Sequence, residues 1–375
     1  MRLRLLSKSD QFESTLKRAQ LLHDAGKWPQ SERLYRRIIA KHSLSVVAHN
    51  NLGRVLLDQG KDDEAAAMFR QATKLQPHNA LTHHNLAVAL CKLGQLEESF
   101  SAFRHEAELT FALENQNPDK QKFAAPDHKT RHDTEQAAYL HQTSPGQFHI
   151  EEGTRVPDRA INYTSFAPDI AQRWQNASPR ILVIDNLLTE PALDKLRRYC
   201  WGSTIWRRVY KAGYLGAMAQ HGLGPPLLAQ IVEELRAACP YILGSFPLNQ
   251  FWAFKYDSLM EGVALHADFA AVNVNFWITP DDANRDPQSG GLTLWDVPAP
   301  LEWDFTKYND SAETARDYLQ KAGARPTTIP HRANRAVVFD SNLFHETDRI
   351  DFKDGYQNRR INLTLLFGKR EDCVT

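Results

Sequence analysis

Small and hydrophobic positions in the first third of the chain recur every 34 residues, marked by Gly26, Gly60 and Gly94. Leu22, Leu56 and Leu90 stand four residues before these glycines, and Ala19, Gly53 and Ala87 seven before. Tyr35, Phe69 and Phe103 follow nine residues after. Each period predicts a helix, a turn in which glycine takes the left-handed conformation, and a second helix whose aromatic fills its partner's groove. From residue 111 to 179 the chain turns polar, with one helix expected around Lys129 to His141, and reads as a linker, either free or docked. After Arg180 the pattern changes again. "RILVIDNLL" predicts a buried strand and "TEPALDKLRRYC" a capped helix. Short apolar or alternating runs follow, "FWAFKY", "LHADF", "AVNVNFWIT", "GGLTLWDV", "RAVVFDS" and "RINLTLLFG". They predict a double-sheet jelly roll, a double-stranded β-helix with flanking helices.

The stretches "HNNLGRVLLDQGKDDEAAAMFRQATKLQP" and "HHNLAVALCKLGQLEESFSAFRHEAEL" resemble tetratricopeptide repeats, with Pro77 at the closing position of the second unit. Arg18 replaces Leu52 and Leu86 in the first unit, and Phe111 stands where the third would close on proline, as suits terminal units. The domains expected are a repeat domain over 1–110, a polar, partly helical linker over 111–179 and a catalytic domain over 180–375. The repeats either recruit a peptide, protein or carrier partner or only cap the chain and join it into a homodimer.

Charge narrows the partners. The chain has 45 basic and 45 acidic residues, so no net field recruits nucleic acid or an anionic membrane. Cys91, Cys200, Cys239 and Cys373 are widely spaced and form no C-x-x-C pair, which argues against a disulfide framework and a thiolate zinc site. The start, MRLRLLSKSD, lacks the apolar core of a signal peptide, and no later run suits a membrane span. A soluble, cytoplasmic protein is expected.

Candidate chemistry is concentrated in "ALHADFAAVNVNF". Read as a strand, it projects His266 and Asp268 to one face, one nitrogen and one carboxylate oxygen on which a divalent iron site can be built. Octahedral iron then needs a third protein ligand, with positions left for substrate and oxygen. His345, at the end of the apolar strand "NRAVVFDSNLFHETD", is the candidate that a jelly roll returns to the pair. His331 is the rival, placed at the strand's opposite end. The pairs His132-Asp133 and His149-Ile150-Glu151 in the polar segment read as surface chemistry without a metal.

In "NRRINLTLLFG", Arg360, Asn362 and Thr364 alternate with Ile361, Leu363 and Leu365. A polar face on so apolar a strand needs a partner in the pocket, and a dicarboxylic acid matches an inward arginine. Strand phase turns Arg359 to the other face. The alternative is a structural arginine paired with an acid such as Asp340.

The order H-x-D, distal His, then R-x-N over residues 180–369 is similar to the Fe(II)- and 2-oxoglutarate-dependent oxygenases. The nearest branch resembles the prolyl hydroxylases, through "RILVIDNLLTEPALDKLRRYC", Tyr256 ten residues before His266, and "SGGLTLWD". The resemblance implies that His266, Asp268 and His345 bind iron and serve catalysis, while Arg360 and Tyr256 hold the distal carboxylate of 2-oxoglutarate. Asn362 resembles the polar partner beyond the arginine in the nucleic-acid-dealkylating branch. The implied reaction consumes O2 and 2-oxoglutarate, releases succinate and CO2, and hydroxylates an unactivated C–H bond of a peptide or protein side chain. A retained Asp268 favours hydroxylation over halogenation. The alternatives are a small-molecule or natural-product oxygenase and a non-catalytic interaction scaffold. Asn273 and Asn275 share a strand phase and either line the pocket or lie at an edge. The 15 residues from His345 to Arg360 exceed the usual gap in prolyl hydroxylases and predict an extended hairpin, turning at Asp354-Gly355, that covers the active site.

Overall fold

The computed structural model describes residues 8–116, 126–142, 144–260 and 262–374. The chain divides into two compact units, Met1–Gln116 and Asn117–Thr375.

The first unit is three helix pairs: α1 (Lys8–Asp24) with α2 (Trp28–Lys41), α3 (Val46–Asp58) with α4 (Asp62–Leu75), and α5 (Ala80–Lys92) with α6 (Leu96–Gln116). Gly26, Gly60 and Gly94 occupy the connecting turns with φ of +69°, +72° and +73°, the left-handed region that favours glycine. Tyr35, Phe69 and Phe103 are buried. The small residue ahead of each turn has a steric reason. A Cβ at Gly53 would lie 2.5 Å from the Phe69 ring, so the two helices meet only without one. With Phe111 in place of proline, α6 runs on to Gln116 instead of closing after the repeat.

The second unit is strand-rich, and every ladder in it is antiparallel. Its helices are α7 (Asp127–Tyr139), α8 (Ile170–Asn176), α9 (Glu190–Gly202), α10 (Pro226–Ala238), α11 (Pro240–Leu243) and α12 (Ala312–Ala322). Its strands are β1 (Ile181–Ile184), β2 (Arg208–Val209), β3 (Tyr214–Met218), β4 (Leu248–Tyr256), β5 (Leu259–Met260), β6 (Val272–Trp277), β7 (Leu292–Pro298), β8 (Pro326–Ile329), β9 (Ala336–Asp340), β10 (Leu343–Thr347), β11 (Ile350–Asp351) and β12 (Ile361–Phe367). Seven form a sheet in the order β1-β9-β6-β12-β4-β3-β2, three form a second in the order β10-β7-β8, and β11 pairs with β5. The two larger sheets share a core in which Trp277, Val337 and Phe339 pack with Leu292, Leu294, Ile329 and Leu343.

Three expectations change. The polar segment read as a linker is largely integrated: residues 117–125 lie outside the described residues, but α7 docks through fully buried His132, and Gln136 donates to the Ser203 carbonyl at 2.9 Å. The segment Ile350 to Arg360 is no extended hairpin, because β11 pairs with β5 and Tyr356–Asn358 makes a short 3-10 turn. The helix α9 lacks the side-chain cap, since the Thr189 hydroxyl donates to the Arg159 carbonyl at 3.0 Å. Among the described residues no helix is long and apolar enough to cross a membrane. Cys91, Cys200 and Cys239 are buried thiols, the pKa of each pushed up to about 12 chiefly by burial.

Candidate metal centre and carboxylate pocket

His266 and Asp268 do converge, but not as residues of a strand. Only His266 makes a bridge, to His345, donating and accepting backbone hydrogen bonds at 3.0 and 2.8 Å. The Ala267 amide instead donates to Tyr308 O at 2.8 Å, and the Asp268 amide to Ser341 O at 3.0 Å. Asn309 Nδ2 closes the other side of the triplet by donating to the Ala267 carbonyl at 2.8 Å. The ladder that periodicity predicts is thus replaced by one anchor per residue, and β6 begins only at Val272. Tyr308 and Asn309 lie in the π-helical turn Thr306–Asp310.

The side chains complete a three-donor cluster. The ligating atoms of His266, Asp268 and His345 all lie within 4.8 Å of one another. Each imidazole donates from Nδ1 to a backbone carbonyl, His266 to Ala264 at 2.8 Å and His345 to Leu343 at 3.0 Å. Each Nδ1 is thus committed to the backbone, and the Nε2 atoms stand 3.9 and 3.5 Å from the Asp268 carboxylate oxygens. Two imidazole nitrogens and one carboxylate turned toward one point are a donor set that suits a divalent cation. Burial, then the neighbouring His345, depresses the His266 pKa to about 4 and so keeps it in the ligating form. Asn273 Nδ2 donates to Asp268 Oδ2 at 2.7 Å and fixes its orientation.

From this cluster a polar row runs along β6 and β12. Asn273 lies opposite Leu366, Asn275 opposite Thr364 and Trp277 opposite Asn362, while Tyr256 donates its amide to Arg360 O at 3.0 Å. Asn273, Asn275, Thr364, Asn362, Arg360 and Tyr256 line one cavity with the His266, Asp268 and His345 cluster, together with Phe254, Leu292 and Thr347. Asn273 and Asn275 are therefore cavity residues in a central strand, not edge residues. Their Oδ1 atoms are buried without a hydrogen-bond partner.

Arg360 is 1 % exposed and has no ion pair among the described residues. Its Nε donates to Gly290 O at 2.6 Å, Nη1 to Asn362 Oδ1 at 3.0 Å and Nη2 to Gly291 O at 3.4 Å. A guanidinium carries five N–H groups, and these three bonds with the contact to the Tyr256 side chain do not use them all. The Tyr256 ring lies 4.6 Å from the guanidinium carbon and its hydroxyl 3.5 Å from Thr347 Oγ1. Arg359 faces the other way, bonded to Glu135 at 2.9 Å and Asp257 at 3.0 Å.

His331 lies outside the cluster, between Trp277 and Phe352, at ring-centroid distances of 5.8 and 5.1 Å. Neither of its ring nitrogens has a hydrogen-bond partner, and burial, then the charges of Arg360 and Arg335, pushes its pKa down to about 3. Since the folded pKa lies below the ordinary 6.5, the unfolded state takes up the proton first as pH falls. The stability this neutral imidazole permits is complete above about pH 6.5 and lost progressively toward pH 3. Urea unfolding of His331→Phe should therefore show a shallower loss than the native chain over that window, by about 1.4 kcal/mol per pH unit. Equal slopes would show that His331 titrates normally.

Of the other paired histidines, His149 bonds exposed Glu151 at 3.1 Å, and His132 bonds Asp133 at 3.0 Å. Neither pair joins a three-ligand cluster among the described residues.

Two family models described as tetratricopeptide repeat match residues 16–80 and 68–100. Among solved structures, the type III secretion translocator chaperone SycD of Yersinia enterocolitica is 19% identical over 27% of this chain and 76% of its own, with a TM-score of 0.27. The second repeat domain of Spaghetti (RPAP3), bound to an HSP90 peptide, is 24% identical over 26% and 92%, with a TM-score of 0.26. The TPR2B domain of yeast Sti1, in an Hsp70 complex, is 14% identical over 29% and 88%, with a TM-score of 0.27. No curated protein matches the chain. The periodic sequence, the three helix pairs and the two family models converge on one conclusion: residues 16–100 are tetratricopeptide repeats, carried in one chain with an antiparallel-sheet unit.

Proposed function

We propose that the second unit is a jelly-roll Fe(II)- and 2-oxoglutarate-dependent dioxygenase that hydroxylates an unactivated C–H bond of a peptide or protein side chain. The observation that carries this reading is Arg360, a buried cation with donor capacity to spare and no ion pair among the described residues, in the same cavity as a two-imidazole, one-carboxylate cluster. A dicarboxylate that reaches from the cluster to the guanidinium satisfies both.

Bound iron and 2-oxoglutarate would supply oxygen activation coupled to decarboxylation of the oxo acid to succinate and CO2. His266, Asp268 and His345 would hold the metal, with Asn273 orienting the carboxylate. Arg360 and Tyr256 would take the distal carboxylate, Asn362 would hold the arginine's Nη1, and the apolar Phe254, Val263 and Leu292 would keep water from the site.

The repeats favour a polypeptide partner. Val47 and Leu81 occupy equivalent positions on α3 and α5 and are 50% and 58% exposed, a repeated aliphatic row on offer to a chain. The test is anaerobic titration of metal-free protein with Fe(II) and 2-oxoglutarate, following the weak visible charge-transfer band of the chelate. The band should saturate at one equivalent. Its absence, with neither component bound, would leave an interaction scaffold as the better account.

A further inference from the structure

A second polar cluster stands on the opposite face of the sheet from the cavity, and the proposed chemistry makes no use of it. On β4, Phe254 and Tyr256 line the cavity, so the alternate residue Lys255 faces away. Lys255 is 1 % exposed and has no carboxylate within ion-pair distance among the described residues. Burial drives its pKa well below the ordinary lysine value. Its Nζ is held by three acceptors: Tyr356 Oη at 3.0 Å, Cys200 O at 3.3 Å and His132 Nε2 at 3.3 Å. The Trp206 and Tyr356 rings lie 4.4 and 4.3 Å from it.

The acceptors are themselves fixed. His132 donates from Nδ1 to Asp133 at 3.0 Å, and Tyr356 donates to Trp201 O at 2.6 Å. Next to this cluster, Arg359 bonds Glu135 and Asp257, and Asp257 also pairs with Arg131. Arg131, His132, Glu135 and Gln136 all belong to α7, at helical i, i+4 spacing.

The location of these polar contacts is selective. Along the same outward phase, β4 otherwise carries Asn249, Phe251 and Ala253, and β12 carries Ile361, Leu363, Leu365 and Phe367. Asn249 donates to Gly368 O at the far end of the strand, and at the end beside Tyr256 and Arg360 the directed polar contacts belong to Lys255 and Arg359, the residues immediately before them. Filling space needs no lysine here, because replacing a buried charge by an apolar side chain of similar volume is often neutral or stabilising. Three acceptors on an ammonium add direction, which an apolar contact lacks.

We propose that α7 is the positioning element for the carboxylate end of the cavity, with His132 on Lys255 and Glu135 on Arg359 setting the aim of Tyr256 and Arg360. The ligand in this statement rests on the function proposed above. The mechanical part does not. Successive residues of a strand share one backbone, so pinning an outward side chain fixes the rotation of the inward one beside it.

The test compares Lys255→Met and Glu135→Gln with the native full-length chain. Three quantities are read: the Kd for Fe(II), the Kd for 2-oxoglutarate with Fe(II) bound, and hydrogen exchange at the Tyr256 amide. The expected result for Lys255→Met is an unchanged Fe(II) Kd, a 2-oxoglutarate Kd raised roughly 10²-fold, the loss typical of a 1 Å misplacement, and faster exchange at Tyr256. Glu135→Gln, whose side chain is 30% exposed and which leaves the core intact, should move the same two readouts in the same direction by less. Parallel loss of Fe(II) and 2-oxoglutarate affinity would reduce α7 to general packing and overturn the proposal. Unchanged 2-oxoglutarate affinity and unchanged exchange would do so equally. A native chain that binds no 2-oxoglutarate refutes the function proposed above, and the exchange at Tyr256 then decides the mechanical part alone.

Discussion

Asp268→Ala should abolish Fe(II) binding while leaving the fold intact. Its carboxylate is the only acidic member of the cluster, and without it two imidazoles remain, their rings 4.3 Å apart. Changes to outer-shell partners commonly cost about 10–100-fold in metal affinity, so loss of the charged ligand should exceed that. Metal content after anaerobic loading and gel filtration gives the readout. The fold should persist because Ala267 and His266 keep their separate backbone anchors. A variant that still holds one equivalent of iron would show that the cluster is not the metal site.

Arg360→Met should leave iron binding unchanged and raise the Kd for 2-oxoglutarate by roughly 10²–10³-fold, from two charge-assisted hydrogen bonds at about 1.5–3 kcal/mol each, not fully additive. The separation of the two effects is the point of the measurement. The proposed metal and carboxylate sites share a cavity, but the first is built from His266 and Asp268 ahead of β6 with His345 on β10 and the second from Arg360 just ahead of β12, so a residue that acts on only one ligand moves only one constant. Methionine keeps much of the arginine stem's bulk against Tyr256 and Trp277 and relieves a buried charge held by two backbone carbonyls and one amide oxygen. A concurrent fall in metal content would place Arg360 in the metal site's support, not at the end of a dicarboxylate.

What the sequence disclosed depended on whether the cause was local. The repeats were legible because each 34-residue unit solves the same packing problem, down to the clash that excludes a side chain at Gly53. The polar phase of β12 was legible for a similar reason: alternation sends Arg360, Asn362 and Thr364 to one face, and the structure keeps them there. The convergence of His266 and Asp268 was read from a wrong premise. Period-2 spacing suggested a strand, whereas three different partners, His345, Tyr308 and Ser341, hold its three residues. Nothing near Asn309 signals that its amide reaches Ala267, because that contact exists only after 42 residues have folded back. The polar segment misled for the opposite reason. Its average composition is that of a linker, yet a few side chains, His132 and Gln136 above all, bury themselves and dock α7.

The regular spacing of the helix pairs also governs which changes of length the first unit tolerates. Because Gly26, Gly60 and Gly94 close identical turns, inserting or deleting a whole 34-residue segment between equivalent points preserves every helix-to-helix seam. A gain or loss of one or two residues inside a helix rotates the downstream face by about 100° per residue and tears the seam open. Gene-level duplication of a whole unit is therefore a gentler change to this region than a single-codon deletion, and the number of repeats is the variable through which lineages could lengthen or shorten it.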